Sequence, residues 1–189
     1  MVGTSAGQVE RLLVEGRLLC PPCGGVLIRW GHARERSVRG LADRLRPRRA
    51  RCSGCARTHV LLPVSVLARR ADAVAVIGAA LVARAQGRGH RPIAAELGVP
   101  ECTVRGWLRR FSTRAREWRD RFTVLLVDLD PDPAAVLPRS CLLGDALEVI
   151  GLAAAAAVRR FGPRPPWQFA SAVSGGLLLG PVPAGPALG

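Results

Sequence analysis

Apolar residues recur at helical spacing through residues 91–111, and this pattern predicts two short helices joined by a tight turn. The apolar positions that share one side of each predicted helix are Ile93, Ala94, Leu97, Val104 and Trp107. Gly98 suits the turn, because a β-carbon disfavours the backbone angle needed there. Pro100 suits the first position of the second helix, where its missing N–H costs nothing. The pattern therefore predicts a helix-turn-helix whose second helix runs from Glu101 to Phe111.

The same periodicity predicts further helices on both sides of this motif. Asp72 is expected to cap a helix that ends near Gln86. Three more helices are expected downstream: one from Ser112 or Thr113 to Leu129, one over Ser140–Phe161 and one over Pro166–Val173. Nearer the N-terminus, shorter runs predict strands at Val26–Trp30, at Ser37–Arg39, within Leu45–Arg51 and at Thr58–Pro63.

Two Cys-x-x-Cys pairs, Cys20 with Cys23 and Cys52 with Cys55, stand 28 residues apart. Each pair can form a turn in which small residues let backbone N–H groups approach sulfur. Four thiolates complete a closed tetrahedral shell, so we expect one structural Zn²⁺. His59 and His32 remain open as competing ligands, with a site of three cysteines and His59 as the alternative. Two further cysteines lack a paired partner and are expected to be partly buried free thiols: Cys102 and Cys141.

The predicted fold is therefore mainly α with a small N-terminal β zinc ribbon. We expect the ribbon and a short helix at residues 1–66 and a three-helix helix-turn-helix unit at 67–111. A C-terminal helical module for packing or oligomerisation is expected at 112–180. Residues 181–189 are rich in proline and glycine and are expected to be disordered.

Charge is distributed unevenly along the chain. Its 28 basic residues are all arginine, and its net charge is +14. Residues 1–111 hold 20 arginines against seven acidic residues (net +13), whereas residues 112–189 hold eight against seven (net +1). A uniform codon bias would not produce this asymmetry, so the cationic front half predicts binding to a phosphate polyanion. The alternative is a basic face that only aids solubility.

The basic front half and the helix-turn-helix together predict binding to double-stranded DNA. Glu101, Thr103 and Arg105 are the candidates for base contacts in the major groove. Arg109 and Arg110 are expected to meet phosphate. Arg44, Arg46 and Arg48 alternate along a predicted strand, so they are expected to share one face that follows the DNA backbone. A solvated charge run is the alternative for this stripe.

A catalytic role is not expected. Strand transfer by two metal ions needs about three converging carboxylates on a sheet. Asp128, Asp130 and Asp132 alternate, but they flank a helix end and two prolines, which is typical of a linker. The sequence also shows neither a secretory signal nor a membrane span, so a cytoplasmic, nucleoid-associated protein is expected.

Three segments carry a resemblance to a known family: CPPCGG through CSGCARTHVLLP, RRADAVAVIGAAL through TVRGWLRRF, and GDALEVIGLAAAAAVRRFGP. Together they resemble an uncharacterised actinobacterial family of helix-turn-helix proteins that often lie near insertion sequences. The ribbon also resembles the N-terminal zinc fingers of some bacterial transposases. The resemblance implies a mobile-element-associated DNA binder with no known activity.

Three functions stay open on the sequence alone. The favoured one is a DNA-binding transcriptional or mobile-element regulator. The second is a non-catalytic accessory or remnant of a transposase, with a separate transposase or a second copy of the chain as partner. The third is a module whose zinc ribbon binds another protein.

Overall fold

The computed structural model describes residues 6–133 and 135–181. Its helices are α1 (Ala6–Val14), α2 (Val74–Ala85), α3 (His90–Leu97), α4 (Glu101–Ser112), α5 (Ala115–Leu129), α6 (Leu142–Phe161) and α7 (Pro166–Val173). Its strands are β1 (Leu27–His32), β2 (Arg48–Cys52) and β3 (Thr58–Leu61). The described chain is thus mostly helical with one small N-terminal sheet, as predicted.

The ribbon, which we define as α1 with β1–β3, is an antiparallel sheet in the order β1-β2-β3. Helix α1 covers one sheet face, because Val9 and Leu13 pack in one core with Leu27 and Ala50. One strand prediction was wrong, and one strand begins later than expected. Residues 37–39 form no strand in the described chain, and β2 begins at Arg48 rather than near Leu45.

Helices α2–α4 form the three-helix unit predicted from the apolar periodicity. Gly98 ends α3 with a left-handed φ of 59°, which is the angle that the turn needs. Pro100 lies one residue before α4 rather than at its first position. The buried side chains of α4 all face this unit and its neighbours: Val104, Trp107, Leu108 and Phe111.

Helices α5–α7 share their core with α2–α4. One apolar cluster extends from Leu67 through Trp107 and Trp118 to Leu179, so the core has no break at residues 111–112. Trp118 is fully buried, and its Nε1 donates a 3.0 Å hydrogen bond to the carbonyl of Leu178. We call α2–α7, with the turn after α7, the helical body.

The predicted start of α5 was two or three residues early. Thr113 instead follows the last residue of α4, and its hydroxyl donates back to the carbonyl of Arg110 at 3.0 Å. The helix begins at Ala115 instead, after Arg114. Asp130 ends it, as the following proline predicts.

The ribbon contacts the helical body through the loop that precedes β2. Val38 packs with Val66 and Ala73, which lies just before α2. Gly40 has a φ of +84°, and a β-carbon there would lie 2.5 Å from Val76, so the junction requires glycine.

Asp72 does not cap α2 as predicted, since Ala73 is the residue before the helix and no side chain caps it. The Asp72 carboxylate instead accepts from Arg39 at 3.0 Å, which joins the loop to the body. Burial raises the pKa of Asp72, and the nearby Arg39 charge lowers it by less.

Trp167 of α7 lies against Gly78 in α2. A β-carbon on Gly78 would come within 2.1 Å of the indole ring, so only glycine allows this approach. The predicted bounds of α7 are confirmed.

Of the predicted disordered tail, residues 182–189 lie outside the described residues. Within the described ranges, no helix combines the length and the apolar character needed to cross a bilayer.

Candidate metal centre and nucleic-acid interface

The sulfur atoms of the four paired cysteines meet at one end of the ribbon. All four lie within 4.8 Å of one another. The contacts between the pairs are 3.7 Å from Cys20 to Cys55 and 3.4 Å from Cys23 to Cys52. Zn–S bonds of about 2.3 Å place tetrahedral sulfurs about 3.8 Å apart. The cluster therefore fits one tetrahedral metal ion, and it is the candidate metal centre of the described chain.

Glycine permits the close approach of the two cysteine turns. A β-carbon on Gly25 would lie 2.9 Å from the Cys52 sulfur and 3.2 Å from the Gly54 nitrogen. The residue after each pair has a left-handed backbone, with φ of 71° at Gly24 and 59° at Ala56. The two turns thus share one backbone design, although only the first uses glycine at that position.

The environments of the sulfurs differ. The N–H groups of Cys55 and Gly54 donate to the Cys52 sulfur at 3.4 and 3.3 Å. The donation from Cys55 has the largest effect, and the pKa of Cys52 falls to about 6. Burial instead raises the pKa of Cys20 to about 12. A bound cation is the natural partner for a thiolate at Cys20, because it supplies the positive charge that the surroundings lack.

The two histidines considered as competing ligands lie in different places. His59 Nε2 is 3.4 Å from the Cys20 sulfur, so it borders the cluster. His32 contacts the guanidinium of Arg48 at 3.2 Å. His59 is therefore the histidine that remains an alternative ligand by position.

Helix α4 presents three of the predicted DNA-binding residues on one exposed side. Glu101, Arg105 and Arg109 follow one another at intervals of four, and all are exposed. Thr103 is half-buried, and with Arg110 it lies on a flank of the helix nearer to Trp107. The structure thus brings Glu101, Arg105 and Arg109 together and separates them from Thr103 and Arg110.

The exposed side of α4 is electropositive. Arg91 of α3 forms a 3.5 Å ion pair with Glu101, which offsets the single acid on this side. No carboxylate in the described ranges pairs with Arg105 or Arg109. A shallow cleft of about 290 Å³ also brings Arg84 and His90 beside these two arginines. Such a cluster attracts an anion.

A second cationic pair lies at the start of the helical body. Burial lowers the pKa of Arg70, and the positive charge of Arg110 lowers it further, so the two guanidinium groups repel each other electrostatically. The buried Nε of Arg70 has no hydrogen-bond partner in the described chain. Two adjacent cations without a carboxylate favour phosphate binding.

The predicted arginine stripe of the ribbon does not lie along one strand. Arg44 and Arg46 precede β2, and only Arg48 belongs to it. Arg44 donates to Glu35 at 2.8 Å. Arg48 faces α1, where it pairs with Glu10 at 2.9 Å. The prediction that one strand carries all three was therefore wrong, because β2 begins only at Arg48, and Arg48 is directed to an internal partner.

Some residues of interest were given no site role in the sequence analysis. Cys102 and Cys141 are exposed rather than partly buried, and Cys102 lies on the open side of α4. Trp30, Arg49 and Arg51 occupy the sheet face opposite α1. The alternation along β1 and β2 was a usable signal, but it required knowing which face α1 covers.

The alternating acids lie at the end of α5, with Asp128 in its last turn and Asp130 directly after it. Asp130 accepts from Arg159 at 2.5 Å, and the carbonyl of Asp128 accepts from Arg160 at 3.0 Å. These contacts tie the end of α5 to the end of α6. Within the described residues, the four cysteines are the only group of three or more potential ligands that converges.

Comparison with known proteins agrees with the helix-turn-helix geometry. Residues 69–123 match the family model of a homeodomain-like domain. The match spans α2–α4 and continues into α5, and it supports a transposase-like helix-turn-helix region. Searches of curated proteins and of solved structures returned no match.

Proposed function

We propose that the protein binds double-stranded DNA by placing α4 in the major groove, as a mobile-element-associated or transcriptional regulator without catalytic activity. The observation that carries this proposal is the exposed side of α4, with Arg105 and Arg109 unpaired, inside a segment that matches a homeodomain-like domain. The second helix of such a motif reads base edges with its early residues.

The contacts divide by position on the helix. Arg105, near the middle of the exposed side, is suited to bidentate contact with guanine, and Glu101 to contact with cytosine. Arg109 is suited to phosphate. Arg110 acts with Arg70 as a separate phosphate clamp beside the helix. Thr103, on the flank, contributes less than the exposed trio.

We propose that the four cysteines hold one structural Zn²⁺. Four thiolates leave no open position for a substrate, so the ion stabilises the ribbon rather than performing chemistry. Elemental analysis of the purified chain should give one zinc per chain. Cobalt substitution would separate four sulfur ligands from three sulfurs with His59 through the charge-transfer intensity.

DNA binding is tested by selecting duplexes from a random pool and measuring affinity by fluorescence anisotropy. Arg105→Ala should weaken binding to the selected duplex by about 1–3 kcal/mol and relax the sequence preference at one base pair. The matched control is Arg11→Ala, which removes the same charge from the exposed surface of α1. Equal losses in both variants, or none in Arg105→Ala, would contradict the assignment.

The phosphate clamp gives a different signature. Arg110→Ala should weaken binding to all duplexes by the same factor. It should also reduce the slope of log affinity against log salt by about 0.9 per lost phosphate contact. Unchanged salt dependence would remove Arg110 and Arg70 from the interface.

Association with mobile elements is the finer part of the proposal. The family match is consistent with a transposase-type DNA-binding region. If the chain serves a mobile element, the selected duplex should recur at element ends; a site confined to promoters would favour a transcriptional role instead.

A further inference from the structure

The ribbon has one sheet face that α1 leaves open. Cross-strand register places Ile28 beside Arg51 and Arg49 beside Val60. Trp30 lies where the β1–β2 register shifts, and its ring lies 4.7 Å from the guanidinium of Arg51, which places it on the same face. We call these five residues the open sheet face. Its three apolar members are each about half exposed: Ile28 (48%), Trp30 (49%) and Val60 (48%).

Charge differs between the two faces of the same sheet. On the α1 side, Arg29 and Arg48 both pair with Glu10, at 3.1 and 2.9 Å. On the open sheet face, no carboxylate in the described chain forms an ion pair with Arg49 or Arg51. The open sheet face is thus cationic without internal neutralisation, and it complements a polyanion.

The exposed indole ring of Trp30 indicates which class of polyanion fits the open sheet face. The guanidinium of Arg51 lies 4.7 Å from the centroid of the Trp30 ring, so an arginine and an indole are already stacked at the surface. Stacked duplex bases offer no flat face to such a platform. Unstacked bases offer that face. Proteins bind them with aromatic rings that stack on the bases and with cationic side chains that contact the nucleic-acid backbone.

We propose that the open sheet face binds single-stranded DNA, with a base stacked on Trp30 and phosphates held by Arg49 and Arg51. Ile28 and Val60 supply apolar contact to the sugar and the neighbouring base. This function goes beyond the duplex binding proposed for α4, and it depends on different residues.

The test uses the full zinc-loaded chain and a labelled oligodeoxythymidine of about 20 nucleotides. Trp30→Ala should weaken binding by roughly 5- to 150-fold, the loss expected for one stacked base. Trp30→Phe should retain most of the affinity but lose most of the fluorescence quenching that the oligonucleotide causes. Because Trp30 is half exposed, both variants should keep their zinc content and far-UV circular dichroism.

The two faces supply a matched control. Arg51→Gln should weaken binding of the oligonucleotide and reduce the slope of log affinity against log salt by about 0.7. Arg29→Gln makes the same change on the α1 side, and it should leave oligonucleotide affinity unchanged. Arg105→Ala should also leave it unchanged, so failure of this inference is separate from failure of duplex binding.

Three outcomes overturn the inference. One is wild-type affinity in Trp30→Ala. Another is equal weakening by Arg29→Gln and Arg51→Gln, which would indicate a diffuse charge effect. The third is tighter binding of oligouridine than of oligodeoxythymidine, which would make RNA the occupant.

Discussion

The ribbon and the helical body are stabilised by different means. Among the described residues, the core cluster of the ribbon contains eight buried residues, and two of them, Cys20 and Cys52, belong to the sulfur cluster. The core cluster that fills the helical body contains 25 described residues, including Trp107, Phe111, Trp118 and Phe122. Because a core of eight small or medium residues supplies little hydrophobic free energy, the ribbon depends on its sulfur cluster. The body needs no ligand of this kind.

The largest expected effect follows from removing the proposed Zn²⁺. Structural zinc contributes roughly 10–16 kcal/mol of apparent binding free energy in small domains, more than the ribbon core can replace. A chelator, or the variant Cys52→Ser, should therefore unfold β1–β3 and leave α5 and α6 folded. Hydrogen exchange read by mass spectrometry measures both regions in one experiment.

Cys102→Ser is the control for this prediction, because Cys102 is exposed and lies outside the cluster. It should leave exchange unchanged in both regions. Simultaneous loss of protection in β2 and α6 would mean that the two regions form one cooperative unit.

The next effect tests close packing in the helical body. Gly78→Ala should destabilise the protein by about 1–3 kcal/mol, because the new methyl group overlaps the ring of Trp167. Gly151→Ala in α6 is the matched control. Nothing lies within 4 Å of its β-carbon position, so it should stabilise by about 0.5–1 kcal/mol. Denaturant midpoints measure both, and equal signs would contradict the packing at Gly78.

A smaller effect tests the two cysteine turns of the ribbon. Ala56 has a left-handed backbone that disfavours a β-carbon, so Ala56→Gly should raise ribbon stability by about 0.5–1 kcal/mol. Gly24→Ala, at the equivalent position of the other turn, should lower it by a similar amount. The readout is competition of each variant with a chromophoric chelator for zinc. Effects of the same sign would rule out a shared backbone design.

The smallest expected effect concerns the contact between the two regions. Burial raises the pKa of Asp72, so the folded state holds this proton more tightly than the unfolded state does. Stability from this group therefore rises as pH falls through its folded pKa, and it is lost as pH rises. Relative to Asp72→Asn, the native chain should gain stability on acidification from neutral pH. A constant difference in unfolding free energy would contradict a perturbed Asp72.

Local signals in the sequence were sufficient for much of the fold. Gly98, the apolar spacing of α4 and the prolines around α7 predicted those elements because their causes lie within a few residues. The cysteine spacing also predicted the cluster, because each Cys-x-x-Cys pair supplies two of the four sulfurs that a tetrahedral site needs.

Long-range partners explain what the sequence did not predict. Aspartate is a typical helix-capping residue, but the Asp72 carboxylate accepts a hydrogen bond from Arg39, which lies 33 positions away in the sequence. Arg48 stands at an alternating position that predicts an exposed strand residue, yet it forms an ion pair with Glu10 of α1. In each case the side chain pairs with a charged residue that is distant in the sequence, and no local pattern predicts which residue that partner will be.

The Trp118–Leu178 hydrogen bond has a consequence for the order of folding during translation. The indole is enclosed only after Leu178 has left the ribosome, because the carbonyl that accepts its N–H lies 60 positions downstream. The four paired cysteines, in contrast, have all been synthesised by residue 55. A nascent chain can thus assemble its sulfur cluster early, whereas the shared interior of α2–α5 closes only after the last turn has been synthesised.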